Sequence, residues 1–368
     1  MKKPYQLPLL PVTFPPETEL TFYKKTVDTM TTLEKLKQRL HYSPVHENFI
    51  QLLTLNESVQ STRIEGTQVT FSEMLEDNID LSADWKRVEV RNYQQALTRG
   101  VEHIQNGYPL TERLIREMHD ILMQDARGSG GAAGSYRRIQ NFSGPSNNMS
   151  EASYVPPEPQ TMNEYMTNLE RYINGHPYQK ESEEQLHPLI KSAIIHAQFE
   201  SIHPFLDGNG RLGRILIVLY LLQEKVIDTP TFFLSEELEK ERFKYYAMLN
   251  GVRAIGKQEP DWKNWILFYL DAAKRMAWQH ERKLQQADDL YEQGLRDLDQ
   301  LSLQQVWKSF FLHPVANVHQ LSETTGLAAS TVRKALRTLT DRHMLFGDDR
   351  ERSRRYYHYD LIRIMTSE

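Results

Sequence analysis

His203-Pro-Phe-Leu-Asp-Gly-Asn-Gly-Arg-Leu-Gly-Arg214 lies between two apolar segments with helical spacing, Leu186 to Ser201 and Arg211 to Glu224. Pro204 disfavours helix at His203, and Gly208 and Gly210 loosen the chain just before Arg211. The stretch therefore joins the end of one helix to the start of the next. N–H groups over Gly208-Asn209-Gly210 would meet the positive end of a helix dipole, a setting made for an anion. Arg211 and Arg214 share a helical face, and two guanidinium forks suit more than one phosphate group. Asp207 is placed to hold Mg²⁺ through one carboxylate oxygen, and His203 to take a proton from an incoming hydroxyl. Such parts support in-line displacement at phosphorus. A rival reading makes His187, His196, His203 and Asp207 a Zn²⁺ or Fe²⁺ centre, but it leaves the glycines and arginines unexplained.

Working outward, helical patterns dominate. Prolines at 4, 8, 11, 15 and 16 keep the first residues extended, so the fold proper is expected to begin near residue 17. Helical spacing then runs over Leu20 to Leu40, Val45 to Ile64, Phe71 to Ile79 and Trp85 to Gln105. Arg127 to Pro159, with five glycines and an Asn-rich centre, reads as turns and a short hairpin, and a loop of that length inside a domain is usually functional. Helices resume at Thr161 and, after the opening motif, from Ser235 to about Leu298.

At 368 residues the chain exceeds what one core usually supports, and a net charge of −5 gives no chain-wide attraction to nucleic acid or lipid. The absence of cysteine excludes disulfides and thiolate metal sites. No signal peptide is recognisable and the longest dense apolar run, Ile215 to Leu222, is too short to span a bilayer, which points to the cytoplasm. The last 68 residues differ in character, carrying +3 against −8 for the rest. Val318 to Glu323, a turn at Thr324 to Leu327 and Ser330 to Asp341 have helix-turn-helix proportions, and Leu345 to Tyr359 reads as a two-stranded wing. Ser330, Thr331, Arg333, Lys334 and Arg337 would face bases, and Arg350, Arg352, Arg354 and Arg355 phosphates. Such a unit serves DNA contact, protein docking or homodimer formation alike.

Residues 203–214 resemble the core motif of the Fic (filamentation induced by cAMP) family, His-x-Phe-x-(Asp/Glu)-Gly-Asn-Gly-Arg-x-x-Arg, with every fixed position filled. Gly134-Ser-Tyr-Arg137, Tyr154-Val-Pro-Pro157 and Leu186-His-Pro-Leu189 extend the match. The resemblance implies a mainly α protein: a Fic-type helical core with a short β-hairpin flap at Ser143 to Pro157, plus a C-terminal winged helix. It divides the chain into a helical region at 1–108, a catalytic core at 109–225, a helical extension and linker at 226–300, and a winged-helix domain at 301–368. It implies transfer of AMP from ATP to a Ser, Thr or Tyr hydroxyl of a protein target, with pyrophosphate leaving. His203 would then be the base, Asp207 the Mg²⁺ ligand and Asn209 an α-phosphate contact. Gly208 and Gly210 would form the anion hole, and Arg211 and Arg214 would bind the β- and γ-phosphates. Asn250, with Tyr245 and Tyr246, falls where the family supplies adenine contacts.

Ser61-Thr-Arg-Ile-Glu65-Gly66 places a hydroxyl and a carboxylate one helical turn apart, followed by a helix-stopping glycine, which alone is an ordinary helix end. Within the resemblance it matches the family's inhibitory signature, (Ser/Thr)-x-x-x-Glu-(Gly/Asn), on a helix at about 46–66. Glu65 would pair with Arg214 and take the donor fork that the γ-phosphate needs. Some family members use this glutamate to remove AMP from targets, and a DNA-binding regulator that merely senses nucleotide is a further alternative.

Overall fold

The computed structural model describes residues 3–79, 81–125, 132–144, 151–175, 186–256, 258–350 and 353–367. Helices dominate: α1 (Pro16–Tyr42), α2 (His46–Ile64), α3 (Phe71–Asp77), α4 (Trp85–Gln105), α5 (Glu112–Met123), α6 (Met162–Asn174), α7 (Pro188–Ile202) and α8 (Asn209–Gln223). They continue with α9 (Ser235–Lys240), α10 (Arg242–Val252), α11 (Trp262–Asp297), α12 (Leu301–Leu312), α13 (Val318–Thr325), α14 (Ala329–Asp341) and α15 (Tyr359–Thr366). Among the described residues no helix is long and apolar enough to cross a membrane.

Local chemistry explains many of the boundaries. Thr70 caps α3 in a reciprocal box with Glu73, and Asn317 caps α13 in the same way with Gln320. Pro188 opens α7 at its first turn, where a missing N–H costs nothing. Burial sets the hierarchy: α7 and α8 are apolar almost all round and form the centre of the molecule, packed against each other. Around this pair lie α4, α5, α6, α10 and α11, and α2 enters beside α8. The inhibitory-signature helix is thus packed directly on the helix that carries the two motif arginines.

One expectation here needs correction. The stretch before α1 is part of the fold: Leu7 and Leu10 are buried, and Tyr5 N–H donates to Val155 O at 3.0 Å. An extended Pro-rich chain leaves its peptide groups free for other partners, and Asn168 exchanges two hydrogen bonds with Leu10 while Gln198 donates to Pro8 O. Of the expected hairpin, the described residues hold an antiparallel bridge between Ser143 and Tyr154. The hairpin's centre, 145–150, lies outside the described residues, as do Gly128, Gly130 and Gly131.

The C-terminal unit combines α12 to α15 with a three-stranded antiparallel sheet, order β1-β3-β2, from β1 (Val315–Asn317), β2 (Phe346–Gly347) and β3 (Arg355–Tyr357). Val315 pairs with Tyr357, which pairs on its other side with Phe346. The two strands expected over Leu345 to Tyr359 are β2 and β3, with Tyr359 opening α15 rather than continuing a strand. The unit sits on the body of the protein. Arg355 Nη1 meets Glu76 Oε2 at 2.7 Å, Tyr357 Oη donates to Glu76 Oε1 at 3.2 Å, and Lys283 Nζ donates to Met365 O at 3.1 Å. Arg355 is accordingly buried in a contact with α3 and cannot serve as the phosphate contact expected of it; Arg352 lies outside the described residues.

Gly294 lets the Trp307 ring of α12 lie directly against α11. A Cβ there would stand 2.2 Å from Trp307 Cε2, and that indole is held by its N–H on Tyr291 O at 3.2 Å. Gly294→Ala would gain about 1 kcal/mol of helix propensity but would overpack the crossing at about 1–3 kcal/mol. Net destabilisation is expected, read as a lower melting temperature; a variant melting at or above wild type would show that Trp307 yields freely.

Candidate active site

The motif loop is built from backbone contacts. α7 ends at Ile202, and His203 adopts a left-handed conformation (φ 51°) with its N–H on Phe199 O at 3.0 Å. Asn209, at the start of α8, stitches the loop shut: its Oδ1 accepts from Phe205 N–H and its Nδ2 donates to Phe205 O, both at 2.9 Å. The side chain expected at the α-phosphate is thus occupied in shaping the loop. Arg137 holds the other side, donating from its own N–H to Pro204 O and from Nε to His203 O, each at 2.9 Å, and from Nη2 to Pro157 O. The two stretches that extended the sequence match, 134–137 and 154–157, therefore meet at the motif.

His119 was not legible as a site residue. Its Nδ1 accepts from Gly134 N–H at 2.9 Å, so Nε2 carries the proton and donates to Asp207 O at 3.0 Å, while the ring stacks on Phe205 with centroids 3.7 Å apart. Burial pushes its pKa down to about 4, keeping that neutral tautomer at pH 7. The signal available in sequence was a lone histidine on the apolar face of α5, beside Leu114, Ile115, Met118 and Leu122. Asn141, also unforeseen, donates to Phe205 O at 3.0 Å.

At the head of α8 the chain makes an anion cradle. Gly208 is left-handed (φ 77°) and no side chain caps the helix, so its first N–H groups are uncapped. A Cβ on Gly210 would stand 2.2 Å from Glu65 Oε1: the carboxylate of Glu65 lies in this cradle. Arg214 grips it from the next turn, with Nη2 on Glu65 Oε1 at 2.7 Å and on Ser61 O at 3.0 Å, and Nε on Ser61 Oγ at 2.8 Å. The Arg214 side chain is 1% exposed and that of Glu65 33%, so the pair is closed on the arginine side and open on the other. Burial opposes both charges, but Arg214 outweighs it at Glu65 and holds that carboxyl below its ordinary pKa. At Arg214 burial is likewise outweighed, chiefly by Glu65, and the guanidinium pKa is raised.

Arg211 stands in contrast. It is as buried as Arg214, yet its nearest carboxylates are Asp207 at 3.7 Å and Glu89 at 3.8 Å, and neither Nε nor Nη1 has a hydrogen-bond acceptor. Each unsatisfied buried donor costs on the order of 1–3 kcal/mol. Asp207 is at the rim, 56% exposed, with Oδ1 accepting from Gly208 N–H at 2.6 Å. His203 Nδ1 is buried without a partner, and burial, followed by the Arg253 charge, pushes the ring pKa down to about 4.

The remaining candidates divide. Tyr245 belongs to the core, its hydroxyl on His196 Nε2 at 2.9 Å and its ring against Trp265. Tyr246 is partly exposed, and Asn250, one turn on, accepts from Arg253 Nη1 at 3.4 Å through Oδ1. Both His196 nitrogens are engaged, Nδ1 donating to Gly213 O at 3.0 Å, and His187 caps α7. Among the described residues no three histidines or carboxylates converge on a metal position, which removes the rival metal-centre reading.

Comparison with known proteins bears on the family of the chain. The profile of the Fic/DOC family matches residues 109–221, and that of the Fic/DOC family N-terminal region matches 23–102, together more than half of the chain. The chain belongs to the Fic/DOC family. Among curated relatives, a protein named protein adenylyltransferase Fic from Drosophila yakuba is 25% identical over 271 residues, covering 68% of this chain and 49% of that protein. The chain spans about half the length of the curated relatives it matches. Among solved structures, a Fic family protein from Desulfovibrio desulfuricans G20 covers 97% of this chain and 98% of its own at TM-score 0.55 and 20% identity. Fic-1 from C. elegans (aa134–508) covers 73% of this chain and 76% of its own at TM-score 0.55 and 19% identity. The likeness to these two structures is one of fold.

The depressed pKa of His119 has a consequence for stability. Above pH 6.5 folded and unfolded chains both hold the ring neutral; as pH falls towards about 4, only the unfolded chain takes the proton, so stability is lost across that window. Replacing the ring cancels this term and leaves every other titrating group in place. The stability advantage of wild type over His119→Gln should shrink by about 2 kcal/mol between pH 7 and pH 5, measured by urea unfolding at both. A pH-independent difference would place the ring's pKa near its ordinary value.

Proposed function

We propose that the chain is a self-inhibited protein adenylyltransferase, transferring AMP from ATP to a hydroxyl of a protein side chain and releasing pyrophosphate. The observation that carries this reading is the Glu65 carboxylate held in the Gly210 cradle by Arg214. That cradle suits a phosphate, and a carboxylate of this chain fills it. The relatives' printed name supports the chemistry.

On this reading His203 is neutral at pH 7 and accepts the proton of the target hydroxyl as its oxygen attacks the α-phosphorus. The α-phosphorus–oxygen bond to pyrophosphate breaks as the new bond forms. Arg211 supplies buried donors that lack acceptors, suited to the β-phosphate, and Arg214 would serve the γ-phosphate once Glu65 leaves. Asp207, exposed at the rim beside the cradle, would hold Mg²⁺, which when bound neutralises charge on the triphosphate. The bridge between Ser143 and Tyr154 would belong to the flap with which a target strand pairs.

Two variants test the proposal. Glu65→Gly frees Arg214 and empties the cradle, so incorporation of label from [α-³²P]ATP into proteins of a lysate should rise at least tenfold over wild type. Adding His203→Ala to it should abolish the incorporation while ATP binding, measured by calorimetry, persists. Incorporation that is no greater with Glu65→Gly than in wild type would remove the brake from the account, and incorporation surviving His203→Ala would remove the base.

A further inference from the structure

We propose that the exposed face of α14, with the exposed Arg350 and Arg354 between β2 and β3, is a binding surface for duplex DNA. α14 is amphipathic: Val332, Ala335, Leu336 and Leu339 are buried, while Ser330, Arg333, Lys334 and Arg337 are exposed at spacings of three and four, hence on one face. Among the described residues none of Arg333, Lys334 and Arg337 has an ion-pair partner. The face is acidic only at its far end, Asp341, and on the preceding helix Glu323 lies beside His319. Ala328 leaves the head of α14 without a side-chain cap, so its first N–H groups also face outward. Arg350 and Arg354 are exposed at the base of the β2–β3 loop, Arg350 tempered by Asp348 at 3.3 Å and Arg354 lying over Tyr356.

These dimensions select the ligand. Thirteen residues make a helix about 20 Å long, and the B-form major groove, roughly 12 Å wide, admits a helix whereas the A-form groove does not. Neutralising three to five phosphates should give a log–log salt slope between about −2.7 and −4.5. The test is fluorescence anisotropy of the full chain with a mixed-sequence 30-base-pair duplex at 50 to 200 mM salt. Binding with that slope is expected, and the triple variant Arg333→Ala, Lys334→Ala, Arg337→Ala should bind at least tenfold more weakly at 50 mM salt, with an unchanged melting temperature. Absence of binding at 50 mM salt, equal binding by the triple variant, or equal affinity for an RNA duplex of the same sequence would each overturn the proposal.

A separate observation concerns α2, and it rests on the brake proposed above. We infer that the C-terminal unit clamps the inhibitory helix. α12 and α15 pack on α2, β1 packs on α3, and the Arg355 and Tyr357 contacts to Glu76 fasten the unit eleven residues beyond Glu65. The seam is loosely filled. A cavity of about 160 Å³ lies between Asn56, Gln60 and Arg63 of α2 and Met365 and Thr366, and another of about 310 Å³ between Ile50, Leu52 and Leu55 and the Leu312 to Val315 stretch. Side chains that face these water-accessible clefts have no packing to lose there when the seam parts, so it opens at lower cost than a filled one.

Arg355→Ala with Tyr357→Phe removes both hooks on Glu76 and touches no active-site residue. Label incorporation should rise severalfold in the wild-type background and stay unchanged in the Glu65→Gly background, and amide exchange over residues 46–64 should accelerate. Equal stimulation in both backgrounds, or unaltered exchange over α2, would overturn the clamp while leaving the brake intact. If Glu65→Gly itself gave no activation, the brake would fail and the clamp with it.

Discussion

A guanidinium buried as completely as that of Arg214 requires an anion. Removing one partner of a buried ion pair typically costs 3–5 kcal/mol, because the remaining charge is left in a medium that solvates it poorly. In this fold the anion is Glu65, 149 residues away in the chain, and its delivery depends on the placement of α2. That helix is anchored accordingly: Glu57 accepts from the Tyr93 hydroxyl at 2.9 Å and from Ser235 N–H at 3.1 Å, and Ser61 gives Arg214 two of its three bonds. The consequence is an exchange rule. Glu65 can leave at low cost only when another anion arrives, so a phosphate ligand and the carboxylate compete for one guanidinium and one cradle.

The rest of the site separates holding from reacting. Asn209, Arg137, His119 and Asn141 each hydrogen-bond to the backbone of residues 203–207. Their geometry leaves His203 Nδ1 and the Arg211 donors without protein partners and Asp207 at the surface. A loop fixed through its backbone frees its side chains for a ligand, and rigid support of this kind sets the precision of a reacting group. The choice of glycine at 208 and 210 follows from the same division: one supplies the left-handed turn into α8, the other leaves room above the helix for an anion.

What could be read from sequence and what could not divides along the same line. The motif was legible because its functional residues are contiguous and each has a local reason for its type, from the Pro204 break to the paired arginines. Helix limits such as Trp85 to Gln105 were legible because apolar spacing and caps are local signals. Residues whose role comes from a distant partner were not. Nothing near Arg355 distinguishes it from Arg350, yet one is buried against Glu76, 279 positions away, and the other is exposed beside Asp348. Leu7 and Leu10 read as part of an extended stretch before the fold because their partners, Asn168 and the surface of α6 and α7, are not adjacent in the chain. β1, three residues long, carries no pattern of its own and exists because β3 pairs with it.

The two motif arginines sit one turn apart on α8, equally buried, in opposite states. Arg214 donates three hydrogen bonds to Ser61 and Glu65, whereas Arg211 has donors with nothing to accept them. Had the carboxylate been positioned to neutralise the site evenly, it would lie between them; the Gly210 cradle instead hands it to Arg214 alone. On the proposed reading this blocks one end of the phosphate site and leaves the other unsatisfied. A triphosphate could then reach Arg211 while its terminal group meets a carboxylate of like charge. Inhibition of this kind need not exclude the nucleotide. It suffices to deny it the alignment that in-line transfer requires, and a misplacement on the order of 1 Å is enough to cost about a hundredfold in rate.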